Sequence, residues 1–442
     1  MAALRLAGKR SLELLKLHFK PAKPSEKFRP FLMRYGVFTG ADGEQLDEVL
    51  AVYMPEKHSY TGLDQVEIFC HGGQQIVRRI LGELVGSGAR PAEPGEFTKL
   101  AFLHGRIDLT RAEAVAQVIS ASTEASLKAG REHLFGAYSE HIETIRDDLV
   151  TVIADIEAGI DFLEEDGESD NAASLARITS IEQKIARLEQ SYDGGRIINE
   201  GFRVVIGGRP NAGKSSLFNL LLRQERAIVT GTAGTTRDYL SEWIELSGFP
   251  VNLIDTAGLR QLGGSIEKAG QARAEEMISE ANLIIWMVDL SRKTWPSLLR
   301  HDLTELPKIP ILLLLNKIDL IQQTKKDLVR KIDSTVSSST VITSCKSGRG
   351  ITRLKTKLVE AIESHMPDMT SGLVVTSARH KGKLGQALRD LRRARKNLVA
   401  GESPELVVFD LRQATSALDE ITGRIYTEEL LGRIFSKFCI GK

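Results

Sequence analysis

Apolar residues along the chain follow two periodicities, and the change between them divides it. Short apolar runs of strand length occur at Phe202–Gly207, Val251–Asp255, Ile311–Leu315 and Thr340–Ser344, all within one central section. Such runs, bounded by Gly, Asn, Asp and Ser, read as buried strands. Ser216–Leu222 reads as a helix leaving the first of them. On either side the apolar residues recur at spacings of three and four, from Asp108 to Arg187 and again over Leu384–Leu398 and Val407–Leu418. Gly167-Glu-Ser-Asp170 breaks one long helix from the next. Nearer the start, Leu46–Tyr53 and Gln65–Cys70 read as strands and Gln74–Leu84 as a helix. The helical pieces flank the strand-rich section 201–365, so that section reads as an insertion. Hinges are expected near Gly194-Gly195 and near Met366-Pro367-Asp368.

The first central strand runs into Gly208-Arg-Pro-Asn-Ala-Gly213-Lys214-Ser215. A glycine-rich loop between strand and helix points backbone N–H groups at phosphate oxygens, helped by the positive end of the helix. Asn211, Ala212, Gly213, Lys214, Ser215 and Ser216 are the residues presented to a nucleotide. Lys214 brings a point charge to the outer phosphates, and Ser215 a hydroxyl to Mg²⁺. Asp255-Thr256-Ala257-Gly258 ends a second strand; Asp255 can hold Mg²⁺ through water, and the Gly258 N–H can contact a γ-phosphate. Asn316-Lys317-Ile318-Asp319 follows a third. A carboxylate at Asp319 accepts from both N1–H and N2–H₂ of guanine, a donor pair that adenine lacks. The loop at Ser344-Cys345-Lys346 offers backbone N–H groups to the base oxygen, with cysteine where alanine is commoner. Four motifs in this order, each at a strand end, select GTP as the substrate.

The hydrolytic machinery is less ordinary. Leu259, after Gly258, cannot orient water as the glutamine of Ras-like enzymes does. Either turnover is poor or the water is held elsewhere. Thr230-Gly231-Thr232-Ala233-Gly234-Thr235-Thr236-Arg-Asp238 is rich in Gly and Thr and can curl over a nucleotide, with Thr236 as a second Mg²⁺ ligand. Asn211 adds a side-chain carbonyl beside the phosphates. An oxygen-rich ring of Asn211 and this loop suits K⁺, which neutralises transition-state charge as an arginine finger does. A plain turn-stabilising role for Asn211 is the equal alternative.

Composition narrows the partners. With 442 residues and a formal charge of +1, the chain allows two or three domains, and any RNA contact is expected to be local. Cys70, Cys345 and Cys439 are far apart, form no metal spacing and suit a reducing cytoplasm. No apolar run has transmembrane length, so no membrane role is expected. Residues 1–23 are basic, with Glu13 as the one acid; this can pass for a transit peptide but reads better as part of a domain. Cys70-His71, lacking an acidic orienter nearby in sequence, reads as structural rather than nucleophilic. Arg379, His380, Lys381, Lys383, Arg389, Arg392, Arg393, Arg395 and Lys396 form a basic run, either a solvated face or a tRNA phosphate contact. No aromatics interleave with it to stack bases.

The ending Leu430-Leu-Gly-Arg-Ile-Phe-Ser-Lys-Phe-Cys439-Ile-Gly-Lys442, with Asp255-Thr-Ala-Gly-Leu-Arg260 and Ala233-Gly-Thr-Thr-Arg-Asp238, closely resembles the MnmE (TrmE) family of tRNA-modification GTPases. The likeness covers essentially the whole chain. It implies an α/β and all-α multidomain protein: a Ras-like P-loop GTPase domain inserted in a helical domain, preceded by a small α+β folate-binding domain. The corresponding boundaries are 1–105 for folate binding and dimerisation, 106–200 and 369–442 for the helical domain, and 201–368 for the G domain. It implies K⁺-stimulated GTP hydrolysis coupled to G-domain dimerisation in a homodimer. The FAD-dependent partner MnmG would complete a heterotetramer, and together they would install an aminomethyl-type group at C5 of the wobble uridine (U34) of tRNA, using 5-formyl-tetrahydrofolate or a related folate.

Carried over by position, the K⁺ site uses Asn211, Thr230, Thr232 and Thr235, and Mg²⁺ is met by Ser215 and Thr236. Glu267 falls where the family keeps a glutamate that positions the attacking water; read from the residues alone it is a solvated acid opening a helix over Lys268–Ile278. Lys214, Thr236, Glu267 and Cys439 would form the catalytic set, with Cys439 either lining the modification site or standing by. Folate contacts would be Arg5, Glu67, Arg106 and Lys442, with arginine at 106 where lysine is commoner. Ala3–Gly8 matches the second part of the family's opening strand and turn, and the strand that usually precedes it is not in this sequence. The rival reading is a regulatory or ribosome-assembly GTPase, an RNA-binding switch with similar G motifs but no need for folate.

Overall fold

The computed structural model describes residues 1–23, 28–161, 171–227, 241–255, 280–322, 328, 339–366 and 373–441. The chain divides into two compact units, Met1–Ala116 with His133–Asp147 and Thr415–Lys442, and Gln117–Glu132 with Asp148–Ala414.

The first unit is built on an antiparallel sheet of β1 (Ala2–Ala7), β2 (Phe19–Pro21), β3 (Arg34–Thr39), β4 (Gln45–Met54) and β5 (Gln65–Cys70), ordered β1-β5-β4-β3-β2. Alternation fixes its buried face: Val66, Ile68 and Cys70 on β5 and Leu4 and Leu6 on β1 point into one core. Helices Ser11–His18 and Gln74–Gly86 contribute Leu14, Leu15, Ile80 and Leu84 to the same core. Residues of the basic opening segment therefore pack as part of this unit. One cross-strand pair is polar: Arg5 stands opposite Glu67 across β1 and β5. A smaller core joins Phe102 and Leu109 to Leu431, Phe435 and Phe438, so the C-terminal helix Glu428–Phe435 packs on helix Glu96–Leu103.

The second unit contains a seven-stranded sheet. It comprises β6 (Phe202–Gly208), β7 (Arg226–Ala227), β8 (Ser241–Leu246), β9 (Phe249–Asp255), β10 (Leu283–Asp289), β11 (Ile311–Asn316) and β12 (Thr340–Ile342). The order is β12-β11-β10-β6-β9-β8-β7, with β8 antiparallel to both β9 and β7 and the other pairings parallel. In such sheets the loops at the carboxyl ends of the strands form the ligand site. The four strands read from the sequence are present, and β7, β8 and β10 join them.

Helix Asn171–Gln190 packs along Ala378–Val399, placing Ile178, Ile181, Ile185 and Leu188 against a partner face that includes Leu384, Leu388 and Leu391. This pairing consumes much of the basic run. Arg392 and Arg395 both donate to Glu182, at 2.9 and 3.0 Å. Arg393 donates to Asp410 at 2.6 Å and to Asp390 at 2.8 Å. Lys381 lies 4.7 Å from the Tyr192 ring centre, and His380 is buried. These cations tie helices together, which favours the structural reading of the run over an RNA face.

The expected hinge at Gly194-Gly195 is a correction. Both glycines are buried inside helix Tyr192–Glu200. A Cβ on Gly195 would sit 2.2 Å from the Val375 carbonyl oxygen, so glycine serves close backbone approach. Beside it the Val375 N–H donates to Ser191 Oγ at 3.0 Å. The second expected hinge, beyond Met366, lies outside the described residues.

Gly195→Ala should therefore destabilise the second unit. Alanine gains up to about 1 kcal/mol in helix propensity, but forcing a methyl against backbone costs about 1–3 kcal/mol. The atom in the way is a carbonyl rather than a pliant side chain, so the clash wins. A lowered thermal midpoint is the expected result; an unchanged or raised one would show that the close approach is relaxed in solution.

Candidate functional site

The parallel strands deliver three loops to one end of the sheet. β6 ends in the loop Gly208–Gly213, and helix Lys214–Gln224 leaves it. The turn is made possible by Gly213, with φ +104°; a Cβ there would lie 2.3 Å from Asn316 Nδ2. Asn211 also takes a left-handed conformation, φ +64°, and is exposed. Lys214 Nζ donates to the carbonyls of Gly208 and Arg209 at 2.9 and 3.1 Å, folding back over its own loop. Ser215 Oγ donates to Asp255 Oδ2 at 3.2 Å, which brings the hydroxyl of the first motif to the carboxylate of the second. A hydroxyl beside a carboxylate, both at the phosphate loop, is a hard-oxygen pair suited to Mg²⁺. Arg209 is held away from the nucleotide face by Asp302, with nitrogen–oxygen distances of 2.7, 3.0 and 3.1 Å.

The base loop is joined to the phosphate loop by one amide. Asn316, 3% exposed, donates from Nδ2 to the Ala212 carbonyl at 2.8 Å and accepts at Oδ1 from the Cys345 N–H at 3.0 Å. Lys317 is left-handed, φ +67°, and its Nζ donates to Asp289 Oδ2 at 2.7 Å. Asp289 also accepts from the Ser291 hydroxyl at 2.5 Å and the Ser291 N–H at 3.0 Å. Burial alone would raise the Asp289 carboxyl; the Lys317 ammonium and the Ser291 donors outweigh it and hold it below its ordinary value. Asp319 is exposed, and a hydrogen bond from Ser344, aided by Lys346 and Lys317, lowers its carboxyl below the usual range. It is thus ionised and open, as an acceptor for a guanine edge requires. Ser344 is fully buried, Ser347 N–H donates to its hydroxyl at 3.2 Å, and Lys346 is exposed.

Several expected residues lie outside the described ones: Thr230, Gly231, Thr232, Ala233, Gly234, Thr235, Thr236, Thr256, Ala257, Gly258, Glu267 and Lys442.

In the first unit, Arg5 Nε donates to Glu67 Oε1 at 2.8 Å, and Gln65 adds a donor to the same oxygen at 3.2 Å. The Arg5 guanidinium lies 5.4 Å from the Phe97 ring centre and 5.7 Å from that of Tyr60. These two aromatics, which the sequence reading missed, flank the Arg5 guanidinium; no short motif marks them. Arg106 is not joined to that pair: it is exposed and donates to the Lys57 carbonyl at 3.2 Å. Cys439 is exposed, in a tail seated at Gly95, whose N–H approaches the Cys439 carbonyl at 3.5 Å. At φ +67°, Gly95 leaves room for Phe435 and Phe438, each 3.0 Å from where a Cβ would stand.

Cys70-His71 departs from expectation in one respect. An acidic orienter exists: His71 Nδ1 lies 2.7 Å from Asp47 Oδ1, and the His71 N–H donates to Asp47 Oδ2 at 2.9 Å. Sequence distance hid it, since β4 and β5 bring the residues together. The Cys70 thiol is nevertheless buried, and desolvation, with Asp47 behind it, raises its pKa, so the structural reading stands. Among the described residues no helix is long and apolar enough to cross a membrane, and no cluster of three or more His, Cys, Asp or Glu is arranged to hold a metal.

Comparison with known proteins decides the family. The description "GTP-binding protein TrmE N-terminus" matches residues 1–106, and "MnmE helical domain" matches residues 109–439. The "tRNA modification GTPase MnmE" of Akkermansia muciniphila is 41% identical over all of this chain and 96% of its own. Those of Aquifex aeolicus, at 39%, and Natranaerobius thermophilus, at 40%, share 99% and 100% of this chain, and 96% of each relative is covered. The chain belongs to the MnmE family. The family's helical match, residues 109–439, spans the central section that carries the parallel sheet.

The three thiols differ in reactivity on this geometry. Burial pushes Cys345 up to about 11, and Cys70 is raised as well, while Cys439 is exposed. A thiol with that value carries at pH 8 roughly 100-fold less thiolate than a model cysteine. Titration of the native protein with a chromogenic disulfide should show one fast equivalent, lost in Cys439→Ser, and two slow ones. Fast labelling at Cys345 would contradict the burial of the base loop.

Proposed function

We propose that the chain is a GTP hydrolase that works with the MnmG partner to modify C5 of wobble uridine in tRNA. The carrying observation is that Asn316 joins the phosphate loop to the guanine-reading loop while Ser215 and Asp255 meet, in a chain of this family. Residues 201–368 act as the G domain, 106–200 with 369–442 as the helical domain, and 1–105 as the folate-binding and dimerising part of a cytoplasmic homodimer.

Asn211, Ala212, Gly213, Lys214, Ser215 and Ser216 bind the phosphates, with residues 230–236 and 255–258 completing the cradle. Asn316, Lys317, Asp319 and Ser344–Lys346 hold the base. Ser215 and Thr236 hold Mg²⁺, which neutralises phosphate charge when bound. Asn211, exposed on a left-handed turn, is free to present its carbonyl to K⁺ together with Thr230, Thr232 and Thr235; K⁺ there supplies positive charge at the transferring phosphate. Glu267 orients the attacking water, the task that Leu259 cannot perform. Arg5 and Glu67, between Tyr60 and Phe97, take the folate, with Arg106 and Lys442 as further contacts. Cys439 lines the modification site.

Turnover in K⁺ should exceed that in Na⁺ at least tenfold, and Asn211→Ala should remove most of the difference. Equal rates in the two salts would end the cation assignment. Glu267→Ala should slow hydrolysis by 100-fold or so while GTP binding persists, the usual scale for a displaced general base or water-holder. A wild-type rate would return Glu267 to the surface. For the first unit, calorimetric titration with 5-formyl-tetrahydrofolate should show binding that Arg5→Ala weakens; no heat with the folded protein would remove the folate reading and leave the GTPase reading intact.

A further inference from the structure

Asp289 belongs to none of the motifs that read the nucleotide, yet it sits against the base loop. It is the last residue of β10 and is aligned in parallel register with Asn316. The backbone clamps the two strand ends together, with Leu290 N–H donating to the Asn316 carbonyl at 3.0 Å. The carboxylate is 8% exposed. Its partners are the Lys317 ammonium at 2.7 Å, the Ser291 hydroxyl and N–H, and Arg292 Nε at 3.9 Å. Asp289 also lines a recess with Arg209, Pro210 and Ala212 of the phosphate loop.

Lys317 has a long flexible stem, and fixing it in one rotamer costs on the order of 2 kcal/mol. Left to itself its ammonium would sample the solvent and the nearby phosphate-loop carbonyls. A buried carboxylate held by two Ser291 donors cannot turn away, so it fixes the ammonium at one point beside the base loop. We infer that Asp289 is a positioning residue for the guanine subsite, locking Lys317 as a preformed apolar rail for the purine face. This rests on the guanine reading of the base loop. It is a role in affinity rather than in bond breaking, because Asp289 acts through Lys317 of the base loop.

The test is a double-mutant cycle on the full chain. Asp289→Asn keeps shape but turns an amide N–H toward the ammonium. It should raise KM for GTP and Kd for GDP on the order of tenfold, the loss expected for a charged hydrogen bond, while kcat at saturation changes less than twofold. In a Lys317→Met background, which keeps the stem and removes the charge, the same substitution should add less than twofold. Ser291→Ala should move KM in the same direction, less strongly, and serves if Asp289→Asn does not fold. Unchanged KM in the single variants, or an equal rise in both backgrounds, would overturn the role. Asp319→Asn, assayed with GTP and xanthosine triphosphate, reports separately on the guanine reading: no switch of preference would sink that reading, whatever Asp289 does.

Discussion

One buried amide connects the nucleotide site. Asn316 donates to the phosphate loop through Ala212 and accepts from the Cys345 N–H of the last loop, and Gly213 is glycine because nothing larger fits beside that side chain. An amide is suited to this place, since it can donate on one side and accept on the other without burying a charge. An aspartate would bring an acceptor to the Ala212 carbonyl, and a leucine would leave two buried backbone groups unpaired. Three loops that are far apart in sequence thus share one register, set by a single side chain.

Much of this was legible in the chain. The four strands of the central section announce themselves as apolar runs, and each ends where its motif begins, because a parallel sheet buried on both faces leaves little polar pattern except at its ends. The helical segments also followed from the spacing of apolar residues, though not which helix packs on which. Less legible were β8 and β10. Ser241–Leu246 reads Ser, Glu, Trp, Ile, Glu and Leu, a mixed polar and apolar run rather than a continuous apolar one, and Leu283–Asp289 carries no nucleotide motif of its own. The strand without a motif turns out to end in Asp289, beside the lysine of a strand that has one.

Pairings across the fold account for the other departures. The basic run looks like an electrostatic patch in one dimension because its partners, Glu182, Asp390 and Asp410, are on other turns or helices. His71 looks unsupported because Asp47 is 24 residues away in sequence and adjacent across β4 and β5. Tyr60 and Phe97 flank Arg5 from a loop and a helix that no motif links. In each case residue type was readable, while the partner depended on topology.

The clasp between Ser191 and Val375 fixes where two distant parts of the second unit meet. Two points separated by 184 residues share a hydrogen bond, and Gly195 one turn on leaves the Val375 carbonyl room to approach. The chain between them is thereby closed into one long loop, and the entropy lost in that closure is a cost the clasp helps to offset.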